Sequence, residues 1–178
     1  MADVLDATTR HRCMSNVRAT DTRPEILLRN ILWHKGFRYH LNDRSLPGTP
    51  DIVFPKYKTV SFVHGCFWHG HKGCKYYTVP KTNTEFWVTK VARNQERDQD
   101  VWRQLEAMGW HVIIVWECQL KKANLEETVD RVVDEIKRNG ETYRAEQEER
   151  RNARIAYQRN QKAKKAQERN LLKEVKSL

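Results

Sequence analysis

The chain has 178 residues, which is enough for one domain with a buried core and too few for two domains of ordinary size. Its 33 lysines and arginines outnumber its 23 aspartates and glutamates, and the net charge of +10 favours a polyanionic partner, most simply nucleic acid. No apolar run approaches the ~20 residues of a membrane-spanning helix, and no apolar signal segment follows Met1, so we expect a soluble, cytoplasmic protein.

The first elements in chain order are a helix and three strands. Thr22, Pro24 and Glu25 indicate a helix start, with Thr22 as the N-cap, and Gly36 is expected to end the helix. Strands are then predicted at residues 37–41, 51–54 and 59–64, the last two as a hairpin.

The second half of the chain alternates helix and strand. Residues 84–108 lack proline and glycine and predict one long helix or two abutting helices that end at Gly109. A buried strand at 110–116 and an amphipathic helix at 125–137, ended by Gly140, complete the set. The order α-β-β-β-α-β-α predicts the α/β class, with a small mixed central sheet flanked by helices.

The composition changes after Gly140. Residues 141–178 hold 11 lysines and arginines against 6 glutamates, and they show no broad apolar face. We therefore expect one domain at 1–140 and a basic, partly helical or disordered C-terminal extension at 141–178. The extension either adds contacts to phosphates or is an inert solubilising tail.

Residues 64–74 place five potential metal ligands and two large aromatic residues within one short segment. Cys66, His71 and Cys74 have the spacing of a loop that wraps one tetrahedral ion, and Cys118, after the apolar strand, supplies a fourth ligand. This predicts a closed Cys₃His zinc site of the structural kind; the alternative is that these cysteines are small buried hydrophobic residues. Cys13 lies far from this segment and is expected to be a free thiol.

Asp51 and His64 lie at the ends of two strands that are expected to pair. A carboxylate there is a suitable oxygen ligand for Mg²⁺, and His69, in the following loop, could take a proton from water. Together these residues predict phosphodiester hydrolysis, although Asp51 taken alone could simply stabilise a turn. Aromatic residues interspersed with lysines after residue 66 strengthen the expectation of a nucleic-acid partner.

Several segments resemble, in order and spacing, the very-short-patch mismatch repair endonucleases, the Vsr family. The resemblance covers about residues 1–138 and is carried by residues 20–25, 46–54, 63–69, 83–87 and 109–118, together with Lys90, Asn94, Arg97 and Asp98. It implies a variant of the PD-(D/E)xK restriction-endonuclease-like fold. It also implies an enzyme that nicks one DNA strand on the 5′ side of the thymine in a T:G mismatch left by deamination of 5-methylcytosine.

The resemblance also implies roles for individual residues. Asp51 would ligate Mg²⁺ with help from the backbone carbonyl of Val63, His69 would activate water, and His64 with Glu25 would assist at the phosphate. The structural zinc ligands would be Cys66, His71, Cys74 and Cys118. The residues expected to contact DNA are Phe67, Trp68 and Trp87 as wedges beside the mismatch, Met14 as a wedge from the other groove, and Lys90 and Asn94 as readers of the mispair.

Two alternatives stay open at this point. One is a related restriction-type or broader mismatch nuclease, and the other is a zinc-stabilised DNA-binding module without catalysis. An asymmetric lesion suits a monomer better than a symmetric dimer, so we expect a monomer, associated with the nucleoid and possibly recruited by other mismatch-repair proteins.

Overall fold

The computed structural model describes residues 8–9, 12, 15 and 20–176, with side chains as far as 165. Met14 and Cys13, which the sequence analysis singled out, lie outside the described residues. The regular elements are helix α1 (Arg23–His34), strands β1 (His40–Leu41), β2 (Ile52–Phe54) and β3 (Thr59–His64), helix α2 (Thr84–Ala107), strand β4 (His111–Trp116) and helix α3 (Leu125–Lys176).

The four strands form one mixed sheet in the order β1-β2-β3-β4. β2 is antiparallel to both β1 and β3, whereas β3 and β4 run parallel with His64 opposite Trp116. The hairpin between β2 and β3 is confirmed; a short 3₁₀ turn over Pro55–Tyr57 and a left-handed Lys58 connect its strands. The predicted mixed α/β architecture is therefore confirmed.

Side-chain alternation along the strands divides the core into two layers. Ile52 and Phe54 point to one face and pack with residues of α1, β4 and the beginning of α3, among them Leu28, Ile113 and Val132. Val53 points to the other face and packs with Val60, Phe62 and Leu105, the last from α2. Helices therefore cover both faces of the sheet, and α2 packs on the side on which Phe62 lies.

Two predicted boundaries are wrong. β1 contains only His40 and Leu41, because Phe37 turns into the core beside Phe54 instead of pairing in the sheet. Gly140 does not end the last helix, which continues to Lys176. A Cβ atom at Gly140 would lie 2.4 Å from Cδ1 of Tyr57, so glycine is needed there for close packing and not as a helix cap.

The chain divides into two compact units, Met1–Gly140 and Glu141–Leu178. The first contains the whole sheet and both core layers, and the second is the helical continuation that carries the basic extension. Within the described residues, no helix combines the length and apolar character that crossing a membrane requires.

Candidate active site and metal centre

Asp51 and His64 face the same cleft because of the pleat of the sheet. Val53 and Phe62 both point toward α2, and in a strand every second side chain returns to the same face. Asp51, two residues before Val53, and His64, two residues after Phe62, therefore also face α2. Both line a cleft of about 820 Å³, whose walls include Glu25, His69, Asp98 and Trp102.

The carboxyl group of Asp51 is held by the neighbouring strand. Its Oδ2 atom accepts a hydrogen bond of 2.7 Å from the backbone N–H of Val63. Burial raises the pKa of Asp51 to about 7 against the lowering effect of that hydrogen bond, and the nearby Glu25 carboxylate adds to the rise. The raised pKa means that the ionised form of Asp51 is unfavourable in the metal-free site. A cation bound beside the carboxylate would stabilise that form, as expected for a metal ligand.

Glu25 reaches the cleft from the first turn of α1. Its carboxylate is 5% exposed and accepts a 2.6 Å hydrogen bond from the hydroxyl of Thr22. The predicted N-cap position of Thr22 is confirmed, but its hydroxyl donates to the glutamate instead of capping the backbone. The start of α1 thus supplies a second carboxylate to the cleft.

The two histidines form a stacked pair. The rings of His64 and His69 lie 3.7 Å apart between centroids and 14° from parallel. His64 also packs against Trp102 and Trp116, and burial lowers its pKa to about 3, with His69 acting in the same direction. His64 is consequently a neutral imidazole at physiological pH.

Asp98 fixes the orientation of His69, a role that the sequence analysis did not assign. One carboxylate oxygen of Asp98 accepts a hydrogen bond from Nδ1 of His69, and the other pairs with Arg97 at 3.0 Å. Although burial acts to raise it, these hydrogen bonds hold the pKa of Asp98 below its usual range. Asp98 is therefore an acceptor, and Nδ1 of His69 carries the proton.

The sequence contained a usable indication of Asp98. The buried residues of α2 are Val91, Asp98 and Leu105, which are spaced seven residues apart and so lie on one face of the helix. An aspartate on an otherwise apolar face needs a buried partner. That partner is a histidine 29 residues earlier, which only the three-dimensional structure reveals.

Helix α2 also holds the backbone on both sides of His69. Nδ2 of Asn94 donates to the carbonyl of Trp68 at 2.9 Å, and Nε2 of Gln95 donates to the carbonyls of His69 and Gly70 at 3.1 Å each. Gly70 has a positive φ of 64°, and a Cβ atom there would lie 2.6 Å from Cγ1 of Val91. The loop therefore packs closely against the helix. Gln95 is a further residue whose role was not predicted from the sequence.

The four predicted metal ligands come together at the carboxyl edge of the parallel strands. Cys66 follows β3 by two residues and Cys118 follows β4 by two, so the parallel register brings them to the same edge. The ligand atoms of Cys66, His71, Cys74 and Cys118 all lie within 4.8 Å of one another. These residues form a Cys₃His cluster that could hold a metal ion.

The cluster has the dimensions of a tetrahedral site. Nδ1 of His71 lies 3.6 Å from Sγ of Cys66 and 3.4 Å from Sγ of Cys118. Metal bonds of ~2.3 Å to sulfur and ~2.0 Å to nitrogen give edges of about 3.6 Å in a tetrahedron. The ring of His71 stacks on Trp116, with 4.1 Å between the ring centroids. Burial raises the pKa of the Cys66 thiol to about 12, so a thiolate at Cys66 requires a cation beside it.

The aromatic residues predicted to contact DNA form one group beside the cleft. Phe67, Trp68 and Trp87 are half-buried and meet edge to face, with ring centroids between 5.2 and 6.1 Å apart. Trp68 also lines the cleft, which connects this group to the catalytic candidates. Lys90 is exposed on α2 and, with Asn94 and Arg93, lines a neighbouring cavity of about 700 Å³.

Comparison with known proteins identifies the family. Residues 2–76 match the family model described as DNA mismatch endonuclease Vsr. The chain is 47% identical over 138 residues to the type II nicking enzyme V.NmeAIP of Neisseria meningitidis, a match that covers 77% of this chain and 98% of that relative. The chain belongs to the Vsr family. It is also 46% identical over 121 residues to the DNA mismatch endonuclease Vsr of Escherichia coli, covering 68% of this chain and 77% of that protein.

Membership of the Vsr family confirms the reaction class expected from the sequence. The chain is a DNA-nicking hydrolase with a restriction-endonuclease-like fold, and its substrate is DNA. A divalent metal cofactor suits a nuclease of this family, and the Cys₃His cluster offers a second place for a metal ion. The non-catalytic DNA-binding module is accordingly set aside.

Proposed function

We propose that this Vsr-family chain nicks one strand of duplex DNA on the 5′ side of the thymine in a T:G mismatch arising from deaminated 5-methylcytosine. The observation that carries the proposal is the cleft itself. A carboxylate suited to a metal and a histidine oriented by Asp98 meet there, and Trp68 connects the cleft to the neighbouring aromatic group. These are the parts needed for hydrolysis of a phosphodiester beside a distorted base step.

The donors around Asp51 fit Mg²⁺. The carboxylates of Asp51 and Glu25 and the backbone carbonyl of Val63 are hard oxygen ligands, and Mg²⁺ is usually bound through one or two carboxylates with water and phosphate completing its shell. Asp51 would ligate the ion directly with Val63. Bound Mg²⁺ supplies positive charge that stabilises the phosphate as negative charge develops on it.

His69 is assigned as the general base. Since Nδ1–H of His69 donates to Asp98, the other ring nitrogen, Nε2, is the atom that accepts a proton. It takes that proton from water as the water oxygen bonds to phosphorus, and the bond from phosphorus to the leaving sugar oxygen breaks. Water protonates the leaving oxygen, while the carboxylate of Asp98 stabilises the imidazolium that has formed.

His64 and Glu25 are assigned to assist at the phosphate and at the hydrated metal ion. His64 is neutral, so it contributes an N–H donor for a phosphate oxygen and not a positive charge. Its stacking on His69 also keeps that ring in position. Glu25 lies close enough to Asp51 to affect its pKa, which suits a role in accepting hydrogen bonds from the water bound to the metal ion.

The Cys₃His cluster is assigned to structural zinc. Three thiolates and one imidazole form a closed donor set that leaves no open position for a substrate. The ion would tie the loop that carries Phe67, Trp68 and His69 to the end of β4 through Cys118. Zinc therefore supports catalysis by shaping this loop, not by entering the reaction.

The aromatic group is assigned to recognition of the mismatch. Separating a base step costs a few kcal/mol and costs less at a mispair, so insertion of Phe67, Trp68 and Trp87 selects distorted DNA before any base edge is read. Met14 would wedge from the other groove. Lys90 and Asn94 are assigned to reading the bases of the mispair. Because Nδ2 of Asn94 already donates to the carbonyl of Trp68, the amide oxygen of Asn94 is the atom that would accept a hydrogen bond from a base.

The proposal extends to the state of the molecule in the cell. A single T:G lesion is asymmetric, so we assign a monomer to each lesion, acting on chromosomal DNA in the cytoplasm and at the nucleoid. Recruitment by other mismatch-repair proteins is compatible with this arrangement.

The test is Mg²⁺-dependent cleavage of strand-labelled duplexes that differ only at one base pair. A T:G duplex should give a single nick 5′ of the mismatched thymine, while matched T:A and C:G duplexes stay intact. Cleavage of several other mispairs at similar rates would favour a broader mismatch nuclease, and cleavage of a matched sequence would favour a restriction-type enzyme.

A further inference from the structure

We infer that residues 150–165 form a cationic helical arm that binds the phosphate backbone of duplex DNA independently of the mismatch. The inference rests on DNA being the substrate of this chain, and it goes beyond the proposed function because none of these residues belongs to the cleft. It also decides between the two interpretations of the C-terminal extension that the sequence left open.

The charge of this segment is one-sided. Residues 150–165 contain seven lysines and arginines and no aspartate or glutamate, whereas the preceding residues 141–149 contain four glutamates. The segment lies within α3, and all of its residues are exposed. Within the described part of the chain, none of the seven cations forms an ion pair, so their charge is not neutralised internally.

The segment is long enough to lie along a stretch of nucleic acid backbone. Sixteen helical residues rise about 24 Å. Phosphates along one strand of B-form DNA are ~3.4 Å apart along its axis, so this length spans about seven of them. At 3.6 residues per turn, five of the cations fall within about 120° of the helix circumference; these are Arg150, Arg151, Arg154, Lys162 and Lys165.

Other partners fit this surface less well. The large apolar side chains in the segment are Ile155 and Tyr157, which do not form the repeating stripe of a coiled coil. Two helices of this kind would also repel each other through their charges. A lipid surface would require a broad apolar face opposite the basic one, and here that side carries Asn152, Ala153, Ala156, Asn160 and Ala163.

The relatives are consistent with an added module. The match to the Neisseria meningitidis nicking enzyme covers 98% of that relative with 138 residues, so about 40 residues of this chain have no counterpart there. An arm of this kind would raise the affinity for any duplex and shorten the search for a lesion, while the cleft would decide where the strand is cut.

The experiment compares two charge-matched double variants of the full-length chain. One, Arg154→Gln with Lys165→Gln, removes cations from the 120° face; the other, Arg159→Gln with Lys164→Gln, removes two cations that point elsewhere on the same helix. Binding to a fluorescent matched duplex is measured by anisotropy without Mg²⁺ across a series of KCl concentrations. Single-turnover nicking of a T:G duplex at saturating enzyme is measured in parallel.

The variant with Arg154→Gln and Lys165→Gln should weaken binding and lower the slope of log Kd against log salt concentration by about 2. Each lost phosphate contact lowers that slope by ~0.9. The off-face variant should change the slope by less than half as much, and both should nick T:G duplex at the wild-type rate once saturated. Equal slopes for the two variants, or tighter binding to double-stranded RNA than to DNA, would overturn the inference. Loss of T:G nicking by the wild type would count against the proposed function alone, because the matched-duplex measurement does not depend on cleavage.

Discussion

At the scale of single residues, the different roles proposed for the cleft residues follow from the environments of their ionisable groups. Asp51 is half-buried beside another carboxylate and has a pKa raised to about 7, whereas His64 is buried among aromatic rings and has a pKa lowered to about 3. Asp98 is held ionised by its two hydrogen-bond partners. These shifts support the three roles proposed above: Asp51 as metal ligand, His64 as neutral donor and Asp98 as the carboxylate that orients His69.

Asp98→Asn should leave the fold intact and lower the nicking rate on the order of 10²-fold, because an amide neither fixes the Nδ1–H tautomer of His69 nor stabilises the imidazolium. Single-turnover rates on a T:G duplex measure the effect. Asp100→Asn is the matched control, since Asp100 lies on the same helix and pairs with Arg103 on the surface. Equal rates for the two variants would show that Asp98 does not orient the base.

The pKa of Asp51 predicts how metal affinity depends on pH. In the metal-free protein the carboxyl group is protonated below about pH 7, and Mg²⁺ must displace that proton. The apparent affinity for Mg²⁺ should therefore fall by up to about tenfold for each pH unit below 7 and should level off above it. Half-saturating Mg²⁺ for single-turnover nicking, measured between about pH 6 and about pH 8.5, tests this; a flat profile would contradict it.

At the scale of elements, α2 connects the residues proposed for recognition with those proposed for catalysis. The same helix carries Trp87 and Lys90 near its beginning, the carbonyl-binding amides Asn94 and Gln95 one turn later, and Asp98 one turn beyond. The loop that carries the Cys₃His cluster supplies the partners of Trp87, Asn94, Gln95 and Asp98. A displacement of this loop relative to α2 would therefore move the aromatic group and His69 together.

Gln95→Leu should lower the nicking rate about tenfold while leaving the Kd for T:G duplex nearly unchanged, because it removes both hydrogen bonds to the backbone at His69 and Gly70. Gln99→Leu, one turn further along and exposed, is the matched control. If binding and rate fell in proportion, Gln95 would have a general structural role instead of positioning the base.

Cys118→Ser should remove most of the bound zinc and destabilise the fold by several kcal/mol, because zinc binding is coupled to folding. Elemental analysis and thermal unfolding of the purified, unchelated protein measure the two effects. Cys13→Ser is the control, since Cys13 is not one of the four clustered ligands. Absence of zinc from the wild-type protein would refute the assignment of the cluster.

At the scale of the whole molecule, the sequence predicted what depends on local pattern. The expected pairing of the second and third strands brought Asp51 and His64 to one rim of the sheet, and ligand spacing predicted the Cys₃His cluster. Features that depend on distant partners could not be predicted in this way. Asp98 acquires its role from His69 in a loop 29 residues earlier, and Gly140, expected to stop a helix, instead accommodates the ring of Tyr57. Local propensity contains no information about either contact.

The cleft around Asp51 is proposed to perform metal-dependent strand nicking at T:G. The most direct measurement is single-turnover nicking of a strand-labelled T:G duplex with Mg²⁺ by the wild type and by Asp51→Asn, with duplex binding measured beside it. Asparagine has the same shape and can still accept the hydrogen bond from Val63, so the fold and DNA binding should persist. We expect a single nick 5′ of the thymine for the wild type and none for the variant; an Asp51→Asn protein that nicks at the wild-type rate would contradict the account.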